Sequence, residues 1–529
     1  MMGILSLSSY HERNGIEFTM GKKYSQYMDE ISADVLYEKL LAYGFFSEKL
    51  PPIFDSVSFA KVCIESNCGF SGKEYYDYIR YNSMRNINIP RQLGIPVPMA
   101  YERLCNVITK NWKHIQQHFH KQTDSQNFVI SRLHLQLSRN NPALFIMNYE
   151  DWRNGGSPQN DLAIGNKFMV KSDISNCFPS IYTHSIPWAL LNKDTAKLTI
   201  AKQQDNSNKW CNDIDKACQN MKYKETHGLL IGPHASNLIS EIILTVVDKK
   251  LYDKGWRYIR YIDDYTCFVE SEEKADNFIH DLGQELEKFD LRINYKKTKI
   301  QRLPDAGITD WVSKIKRLNF MFSDRLIKYP DAQAFSSAVI ELMDSNNHDS
   351  AIFKYAIKML KGYKLTENAR IYIWKIWMQL CLIYPYLITL MEEFIFQPFH
   401  PPVENIRDFA NQAFNQGLKA RNYEECCYAL LFSIDYNFKI DSLKMIDVLD
   451  ASDCLFKLIS AIYFRRIKDD DSFTQLKEYA KTLKENKNNF DRNWIFVYEM
   501  LTAQELDNQS GWYKMKKARI SFLKDKYKL

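Results

Sequence analysis

The chain has 529 residues, 45% hydrophobic and 25% charged, which is ordinary for a globular protein long enough for two or three domains. Its 70 basic and 64 acidic residues leave a net charge of +6, which permits a nucleic-acid partner without requiring one. The eleven cysteines are scattered, odd in number and form no Cys-x-x-Cys pair, so they argue against a disulfide framework and indicate reduced thiols.

The sequence also argues against secretion and membrane insertion. No basic region precedes a long apolar run at the N-terminus, so there is no sign of a signal peptide. The most apolar run, residues 376–391, contains Gln379 and Pro385 and is shorter than the roughly 20 residues of a membrane span. We expect a buried helix there, and a cytoplasmic protein without a membrane partner.

Helix-like and strand-like stretches alternate in the first part of the chain. Apolar spacing predicts helices, the first of them stopped by Pro51 and Pro52, over residues 24–50, 99–120, 178–191, 238–251 and 272–288. Strands are predicted over residues 143–147, 167–173 and 291–295.

After about residue 330 the strand-like alternation nearly vanishes and helical spacing dominates. Clear examples are residues 351–360, 369–382, 423–432 and 454–466. We therefore predict a mixed α/β (α+β) domain over residues 1–325 and an all-α, repeat-like domain over residues 326–529. The plainest interpretation of the second domain is a helical scaffold without chemistry of its own.

A predicted β-hairpin over residues 256–270 carries two adjacent acids at its tip. Aromatic and β-branched residues alternate at period two on both sides of Asp263 and Asp264. Neighbouring carboxylates repel and raise each other's pKa, and a hard divalent cation removes that repulsion. Taken alone, an acidic β-turn is the simpler interpretation, because Asp favours turns.

A third acid, Asp173, closes the strand predicted over residues 167–173. If this strand and the hairpin pair in one sheet, three carboxylates converge, enough to hold two divalent ions. Such a pair of ions activates the attacking oxygen and stabilises the leaving oxygen of an in-line phosphoryl transfer. The residues thus indicate a two-metal phosphotransferase and leave open which one.

Four segments resemble, in order, the palm motifs of reverse transcriptases. Lys171–Ile181 resembles the first, with an Asp followed five residues later by an aromatic, and His227–Asn237 resembles the second. Tyr261-Ile-Asp-Asp264 is similar to the Tyr-x-Asp-Asp signature, and Leu291–Ile300 resembles the fourth, with its Lys-Thr pair. The resemblance implies reverse-transcriptase fingers and palm over residues 1–325, fused to the helical domain, and an RNA-directed DNA polymerase.

The resemblance also implies the catalytic residues. Asp173 and Asp263 are the expected main metal ligands, with Asp264 beside them and the Ile174 carbonyl joining. The cofactor is then Mg²⁺, with Mn²⁺ as an alternative. Lys297 is expected to protonate the leaving pyrophosphate. The alternative for Lys297 is an exposed lysine in a basic run.

The substrate-binding residues follow from the same resemblance. The ring of Phe178 is expected to act as a steric gate that leaves no room for a 2′-hydroxyl and so favours deoxynucleotides. The other expected contacts with the nucleotide come from Gly232, Ser236, Asn237 and Tyr261. Arg91 is our choice for the triphosphate clamp, because an arginine fork suits phosphate; a surface arginine is the alternative.

The sequence departs from most reverse transcriptases in the second motif. Leu230 and Ile231 stand where Pro-Gln is usual, which removes a polar group near the template and puts long templated copying in doubt. No ribonuclease H, integrase-like half or usual thumb is evident. This combination most resembles the bacterial abortive-infection and defence-associated reverse transcriptases, the AbiK-like group, and Glu48–Asp55 resembles an early segment of that group.

Membership of that group implies an antiphage role and a set of partners. They are dNTPs, a DNA product, a noncoding RNA and further copies of the chain in a trimer or hexamer. Copying of the RNA into low-complexity DNA and protein-primed untemplated synthesis both remain open. The alternatives are a retron or group II intron type of enzyme making a defined cDNA, and a non-catalytic RNA-binding oligomeric scaffold.

Overall fold

The computed structural model describes residues 22–65, 74–85, 90–132, 158–202, 208–304, 310–318, 326–360, 363–506 and 510–529. The contacts divide the chain into two compact units, each discontinuous in sequence. The first contains the described parts of Met1–Ser32, Asn111–Lys202 and Ile239–Gly307, and the second those of Ala33–Lys110, Gln203–Leu238 and Ile308–Leu529. The division predicted between residues 325 and 326 remains a prediction.

Helices dominate the described residues. The strands are β1 (Ile79–Met84), β2 (Pro90–Ile95), β3 (Phe168–Asp173), β4 (Tyr258–Tyr261), β5 (Asp264–Val269), β6 (Lys299–Arg302), β7 (Leu326–Ile327) and β8 (Lys364–Leu365). The helices up to residue 318 are α1 (Tyr24–Asp29), α2 (Ala33–Tyr43), α3 (Val57–Glu65), α4 (Pro98–Lys110), α5 (Trp112–Thr123), α6 (Pro158–Ala163), α7 (Cys177–Ser180), α8 (Ser185–Leu190), α9 (Lys193–Lys202), α10 (Lys209–Asn220), α11 (His234–Asp253), α12 (Glu272–Glu287) and α13 (Asp310–Leu318). Those that follow are α14 (Tyr329–Ser345), α15 (Ser350–Leu360), α16 (Glu367–Ile383), α17 (Gln397–Phe399), α18 (Val403–Ala420), α19 (Tyr423–Tyr436), α20 (Met445–Asp450), α21 (Cys454–Arg466), α22 (Asp470–Glu485), α23 (Lys487–Arg492), α24 (Trp494–Met500) and α25 (Ser510–Lys517).

The first unit is built on an antiparallel sheet with the strand order β4-β5-β3-β6. The predicted hairpin is confirmed as β4 and β5, joined by the two-residue turn Ile262–Asp263. In the register of β3 and β5, Asp173 lies opposite Asp264. The strands predicted from alternation thus bring two distant parts of the chain together at one end of the sheet.

Two strand predictions need comment. The strand over residues 291–295 is wrong, because within it only Ile293 forms a β-bridge, to Ile174. The chain then turns on the Asn294 carbonyl, which accepts the N–H groups of Lys297 and Thr298, and the fourth strand is β6. The candidate over residues 143–147 lies outside the described residues.

Three helices predicted in the first part of the chain are each broken in two. The helix over residues 24–50 is wrong, since α1 and α2 are separate and α2 ends at Tyr43. The helix over residues 99–120 is interrupted at Asn111, whose φ of −110° and ψ of 19° are not helical. The one over residues 178–191 breaks after α7 because Ile181 is extended, whereas α11 and α12 confirm the other two.

The second unit contains the short β1–β2 hairpin and the helices after residue 326. Strand β1 packs against α19 and α21. Near the C-terminus, Phe522 is buried among aromatic rings, its carbonyl accepts the Asp55 N–H at 3.0 Å, and Leu523 forms a β-bridge with Phe54. The aromatic rings that contact Phe522 are those of Phe45, Phe46, Phe59, Trp494 and Tyr498. Phe522 and Leu523 are therefore part of this unit's core.

The predicted helical character of the second part is confirmed, with two corrections. Strands β7 and β8 form a short parallel pair. The single buried helix expected over residues 376–391 is wrong, because α16 ends at Ile383 and Pro385 begins a short 3₁₀ turn. Proline lacks the N–H that a continuing α-helix needs.

Two further expectations concern the whole chain. The ten cysteines in the described ranges are all buried and unpaired. In the same ranges, none of the helices combines the length and the apolar character that crossing a membrane requires.

Candidate active site

The end of β3 and the β4–β5 turn bring three carboxylates together. Asp173 lies opposite Asp264, and the Ile174 N–H donates to the Asp263 carbonyl at 3.1 Å. One ligand oxygen each from Asp173, Asp263 and Asp264 lies within 4.8 Å of the others. Among the described residues this is the only group of three His, Cys, Asp or Glu side chains with such spacing. The predicted convergence is therefore present.

The electrostatics of this cluster fit a divalent cation. Burial, and then the charges of Asp263 and Asp173, raise the pKa of Asp264 to about 6, while Lys297 opposes the shift. Carboxylate oxygens are the hard donors that Mg²⁺ and Mn²⁺ prefer, and a bound cation relieves the repulsion between them. The three acids thus fit the ions expected from the sequence. When bound, such ions stabilise the charge that develops in phosphoryl transfer.

Asp173 is held by two residues of the loop before β6. Asn294 donates its backbone N–H to the Asp173 carbonyl at 2.7 Å and its side-chain Nδ2 to the carboxylate Oδ2 at 3.0 Å. Lys297 Nζ lies 2.9 Å from the same Oδ2. Sequence reasoning missed Asn294, although it stands three residues before Lys297 in the fourth motif. It fixes the rotamer of an acid that two cations, Lys297 and a metal ion, are expected to share.

Lys297 keeps most of its side chain in solvent, with 64% exposed, despite its ion pair with Asp173. Its ammonium is therefore both beside an acid of the cluster and open to solvent. Its role as proton donor stays a prediction.

The turn that carries Asp263 is strained. Ile262, its first residue, has a φ of 55°, in the left-handed region that β-branched residues rarely adopt. Two-residue hairpin turns with a positive φ at the first position favour glycine there. Strain of this kind persists only where the surroundings fix the backbone, and it is frequent at functional sites.

Three other predicted residues lie close in sequence to the acids. Phe178 is in α7, five residues after Asp173, and is only 9% exposed. Ile174 is buried directly after β3, and Tyr261 ends β4 opposite Asp264. Their roles as steric gate, metal ligand and substrate contact remain predictions.

The remaining predicted residues belong to the second unit. Arg91 is on β2, opposite Ser83. Gly232 has a φ of 130°, and a Cβ there would lie 3.2 Å from the Cβ of Ser47, so both conformation and space favour glycine. Ser236 is buried and Asn237 half-buried in the first turn of α11. The proposed contacts of these four residues with a nucleotide stay predictions.

The two apolar residues that replace Pro-Gln have packing partners in the second unit. Leu230 is 3% exposed, and a Cβ added at Gly94 would lie 2.8 Å from its side chain. The Ile231 carbonyl accepts the Gly94 N–H at 2.9 Å. This segment of the second motif is therefore tied to β2.

Comparison with known proteins shows which family part of the chain is similar to. Residues 91–329 match the family described as reverse transcriptase (RNA-dependent DNA polymerase). No curated protein matches the sequence at a significant level. Of 45 matching chains in solved structures, one is apo telomerase from Candida tropicalis, with 12% identity and a TM-score of 0.28 over 69% of this chain. The match covers 66% of the telomerase chain, slightly less than two thirds of its length.

A similarity as low as that to the telomerase does not identify a fold by itself, so the family match carries the assignment. The matched segment holds β3, the hairpin, the three acids and the fourth motif. Proteins of this family bind dNTPs and nucleic acid and use divalent metals. The predicted fold class, fingers and palm followed by a helical region, is confirmed. The part of the chain that is similar to reverse transcriptases, RNA-dependent DNA polymerases, is thus residues 91–329.

Proposed function

We propose that the protein is an active DNA polymerase that serves antiphage defence in the manner of the AbiK-like reverse transcriptases. The observation that carries the catalytic part is the convergence of Asp173, Asp263 and Asp264 within the reverse transcriptase domain. A non-catalytic scaffold has no use for three carboxylates held in mutual repulsion. Their retention, together with Phe178, supports the enzyme over the scaffold.

In this proposal each residue near the three acids has its own role in catalysis. Asp173, Asp263, Asp264 and the Ile174 carbonyl hold Mg²⁺, or Mn²⁺ in its place. Asn294 orients Asp173 through two hydrogen bonds. Lys297, beside Asp173, gives a proton to the leaving pyrophosphate.

Recognition of the deoxynucleotide is assigned to the other predicted residues. Phe178 rejects a 2′-hydroxyl, and Arg91 clamps the triphosphate. Gly232, Ser236 and Asn237 are assigned to the nucleotide pocket, and Tyr261 is assigned a contact with the substrate.

The defence role rests on sequence features that ordinary reverse transcriptases lack. Leu230 and Ile231 replace the template-side Pro-Gln, and a long helical region follows the palm. We propose a homo-oligomer, a trimer or hexamer, that either copies an associated noncoding RNA into low-complexity DNA or makes protein-primed DNA without a template. A retron or group II intron type of enzyme making a defined cDNA is the alternative, and the missing Pro-Gln disfavours it.

The test is DNA synthesis by the purified full chain with co-purifying RNA retained. Each labelled dNTP is supplied with Mg²⁺, and the products are treated with protease and with ribonuclease. Product that shifts on protease treatment indicates protein priming, whereas product abolished by prior ribonuclease indicates an RNA template. A product of one defined sequence favours the retron type.

The matched control is the double variant Asp263→Asn/Asp264→Asn, which keeps the shape of both side chains. It should make no product and should fail to protect cells that wild type protects in a phage plating assay. Synthesis by the double variant at the wild-type rate would overturn the proposed catalytic site. Protection by that variant would separate defence from polymerisation.

A further inference from the structure

Arg260 is buried on the strand that leads into the turn that carries Asp263. It is 0% exposed and lies on β4, two residues before Ile262. Its guanidinium forms ion pairs with two acids of α11, from Nη2 to Asp248 Oδ2 at 2.6 Å and from Nη1 to Glu241 Oε1 at 2.7 Å. Because Glu241 and Asp248 are seven residues apart, two helical turns, they present their carboxylates on one face of the helix.

The same guanidinium also reaches the turn itself. Arg260 Nη1 donates to the Ile262 carbonyl at 2.7 Å. Ile262 is the residue with the left-handed φ of 55°, and Asp263 follows it directly. One side chain therefore joins helix α11 to the strained peptide that sets the direction of Asp263 and Asp264.

Further groups of the first unit complete this buried network. Glu241 accepts hydrogen bonds from the Tyr24 hydroxyl of α1 at 2.9 Å and from the Ser131 hydroxyl at 2.8 Å. Asp248 accepts one from the Tyr258 hydroxyl at 2.9 Å. The backbone N–H of Arg260 donates to the Ile130 carbonyl at 2.9 Å. The arginine is thus held from both its side chain and its backbone.

A buried ion pair alone is weak evidence of stabilisation, because apolar residues of similar volume often serve as well. What apolar residues cannot supply is a hydrogen bond to the Ile262 carbonyl in a fixed direction. Lysine cannot supply all the contacts either, since one ammonium lacks the planar fork that here serves three acceptors at once. The arrangement is specific to arginine and directed at the turn.

We propose that Arg260 is a positioning residue for the metal-binding acids. Braced by Glu241 and Asp248, it holds the Ile262–Asp263 turn in its strained conformation, so that Asp263 and Asp264 meet Asp173 in the geometry that a divalent cation requires. The inference rests on the proposed function for its effect on catalysis. Its effect on cation binding does not depend on polymerisation.

The test measures Mn²⁺ binding, DNA synthesis and thermal unfolding in the full-length chain. The variants are Arg260→Lys and Asp248→Asn, with Asp253→Asn as the control. Asp253 is an exposed acid of the same helix, paired with Lys249, and has no contact with the network. The part of the Mn²⁺-binding signal that is lost in Asp263→Asn/Asp264→Asn is assigned to the site formed by the three acids.

Residues that orient metal ligands typically change affinity or activity about 10- to 100-fold, and we expect a loss of that size in Mn²⁺ affinity for Arg260→Lys. Asp248→Asn should lose affinity in the same direction by less, because Glu241 still braces the arginine. Asp253→Asn should bind as wild type does. In synthesis assays raised Mg²⁺ should partly restore Arg260→Lys, with the KM for dNTP little changed.

Losses of Mn²⁺ affinity that merely follow the fall in melting temperature across the variants would overturn the proposal and leave Arg260 a structural residue. If Arg260→Lys does not fold, the proposal is tested by comparing the Mn²⁺ affinity of Asp248→Asn with that of Asp253→Asn. Equal affinities of these two variants overturn the proposal. Wild type that binds Mn²⁺ at the site but makes no DNA refutes the proposed function and still leaves the affinity comparison valid. Wild type without Mn²⁺ binding at the site refutes both.

Discussion

Both units contain acids with a raised pKa, but these acids are arranged in opposite ways. In the first unit Asp173, Asp263 and Asp264 crowd together, and their mutual charge contributes to the raised pKa of Asp264. In the second unit Glu424 and Asp453 are satisfied one at a time by backbone N–H groups, of Met84 at 2.7 Å and Phe456 at 2.8 Å. A raised pKa therefore marks a candidate metal site only where several carboxylates also converge.

In the second unit, burial is the main cause of the raised pKa values. Burial raises the pKa of Glu424 to about 7 and that of Glu425 to about 8, and the hydrogen bonds they accept oppose the shift. Both belong to α19, which packs against β1, and Glu424 binds the N–H of Met84 at the end of that strand. We interpret these acids as structural, and the difference from the first unit leads to four predictions.

The largest effect is expected from Asp263→Asn. Stabilisation by a catalytic metal ion is worth several kcal/mol, and each 1.4 kcal/mol is tenfold in rate, so incorporation of dNTPs should fall about a thousandfold or more. Glu425→Gln, a change of the same kind in the second unit, should leave the rate nearly unchanged. Equal losses in the two variants, measured as single-turnover rates, would remove the distinction between the regions.

Lys297→Gln should have the next largest effect on rate. Loss of a general acid costs about 100-fold or more, and the fall should appear in kcat rather than in the KM for dNTP. Lys296→Gln is the matched control, because it removes a neighbouring exposed lysine of the same run. Indistinguishable kinetics for the two variants would support the alternative that Lys297 is only a lysine in a basic run.

The acids of the second unit should make stability fall as pH rises. The pKa of Glu424 is about 7 in the folded chain against 4.5 for the ordinary group, so between these values the folded state holds more protons than the unfolded state. The free energy of unfolding should decrease from pH 5 to pH 8 by on the order of 2 kcal/mol from this group.

Glu424→Gln removes that ionisation, so the variant should gain stability relative to wild type at pH 8 and differ little at pH 5. Urea unfolding at the two pH values measures this. A variant that loses the same stability at both values would show that the carboxylate acts by a contact the amide cannot make.

The smallest effect is expected from Phe178→Ala. Contacts of one apolar group discriminate by about 10- to 100-fold, so the preference for dNTP over rNTP should fall by a factor in that range while dNTP incorporation continues. The ratio of kcat/KM values for the two nucleotides measures it. An unchanged ratio would show that another residue excludes the 2′-hydroxyl.

Sequence reasoning found the parts of the site that alternation and motif spacing reveal. Period-two residues on both sides of Asp263 and Asp264 predicted the hairpin, and Asp173 was found because it ends a strand. Asn294 was missed because a strand was predicted over residues 291–295. Strand β6 was missed because the run Lys299–Arg302 contains one apolar residue and reads as a basic segment.

Contacts distant in sequence could not be predicted in this way. Alternation predicted that Arg260 lies on the same face of the strand as Tyr258, but it did not predict a partner for the charge of Arg260. The acids that pair with it, Glu241 and Asp248, lie in a helix that was predicted from its apolar residues alone. The assignment of residues 33–110 and 308–529 to one compact unit likewise follows from tertiary contacts and leaves no periodic pattern.

The measurement that tests the central claim most directly is incorporation of labelled dNTPs by the purified full chain in Mg²⁺, with wild type and Asp173→Asn side by side. Asp173→Asn keeps the size and shape of the side chain and removes one of the three charges that meet near the turn. We predict DNA synthesis by wild type and its loss in the variant. Undiminished synthesis by Asp173→Asn would contradict the assignment of the catalytic centre to these acids.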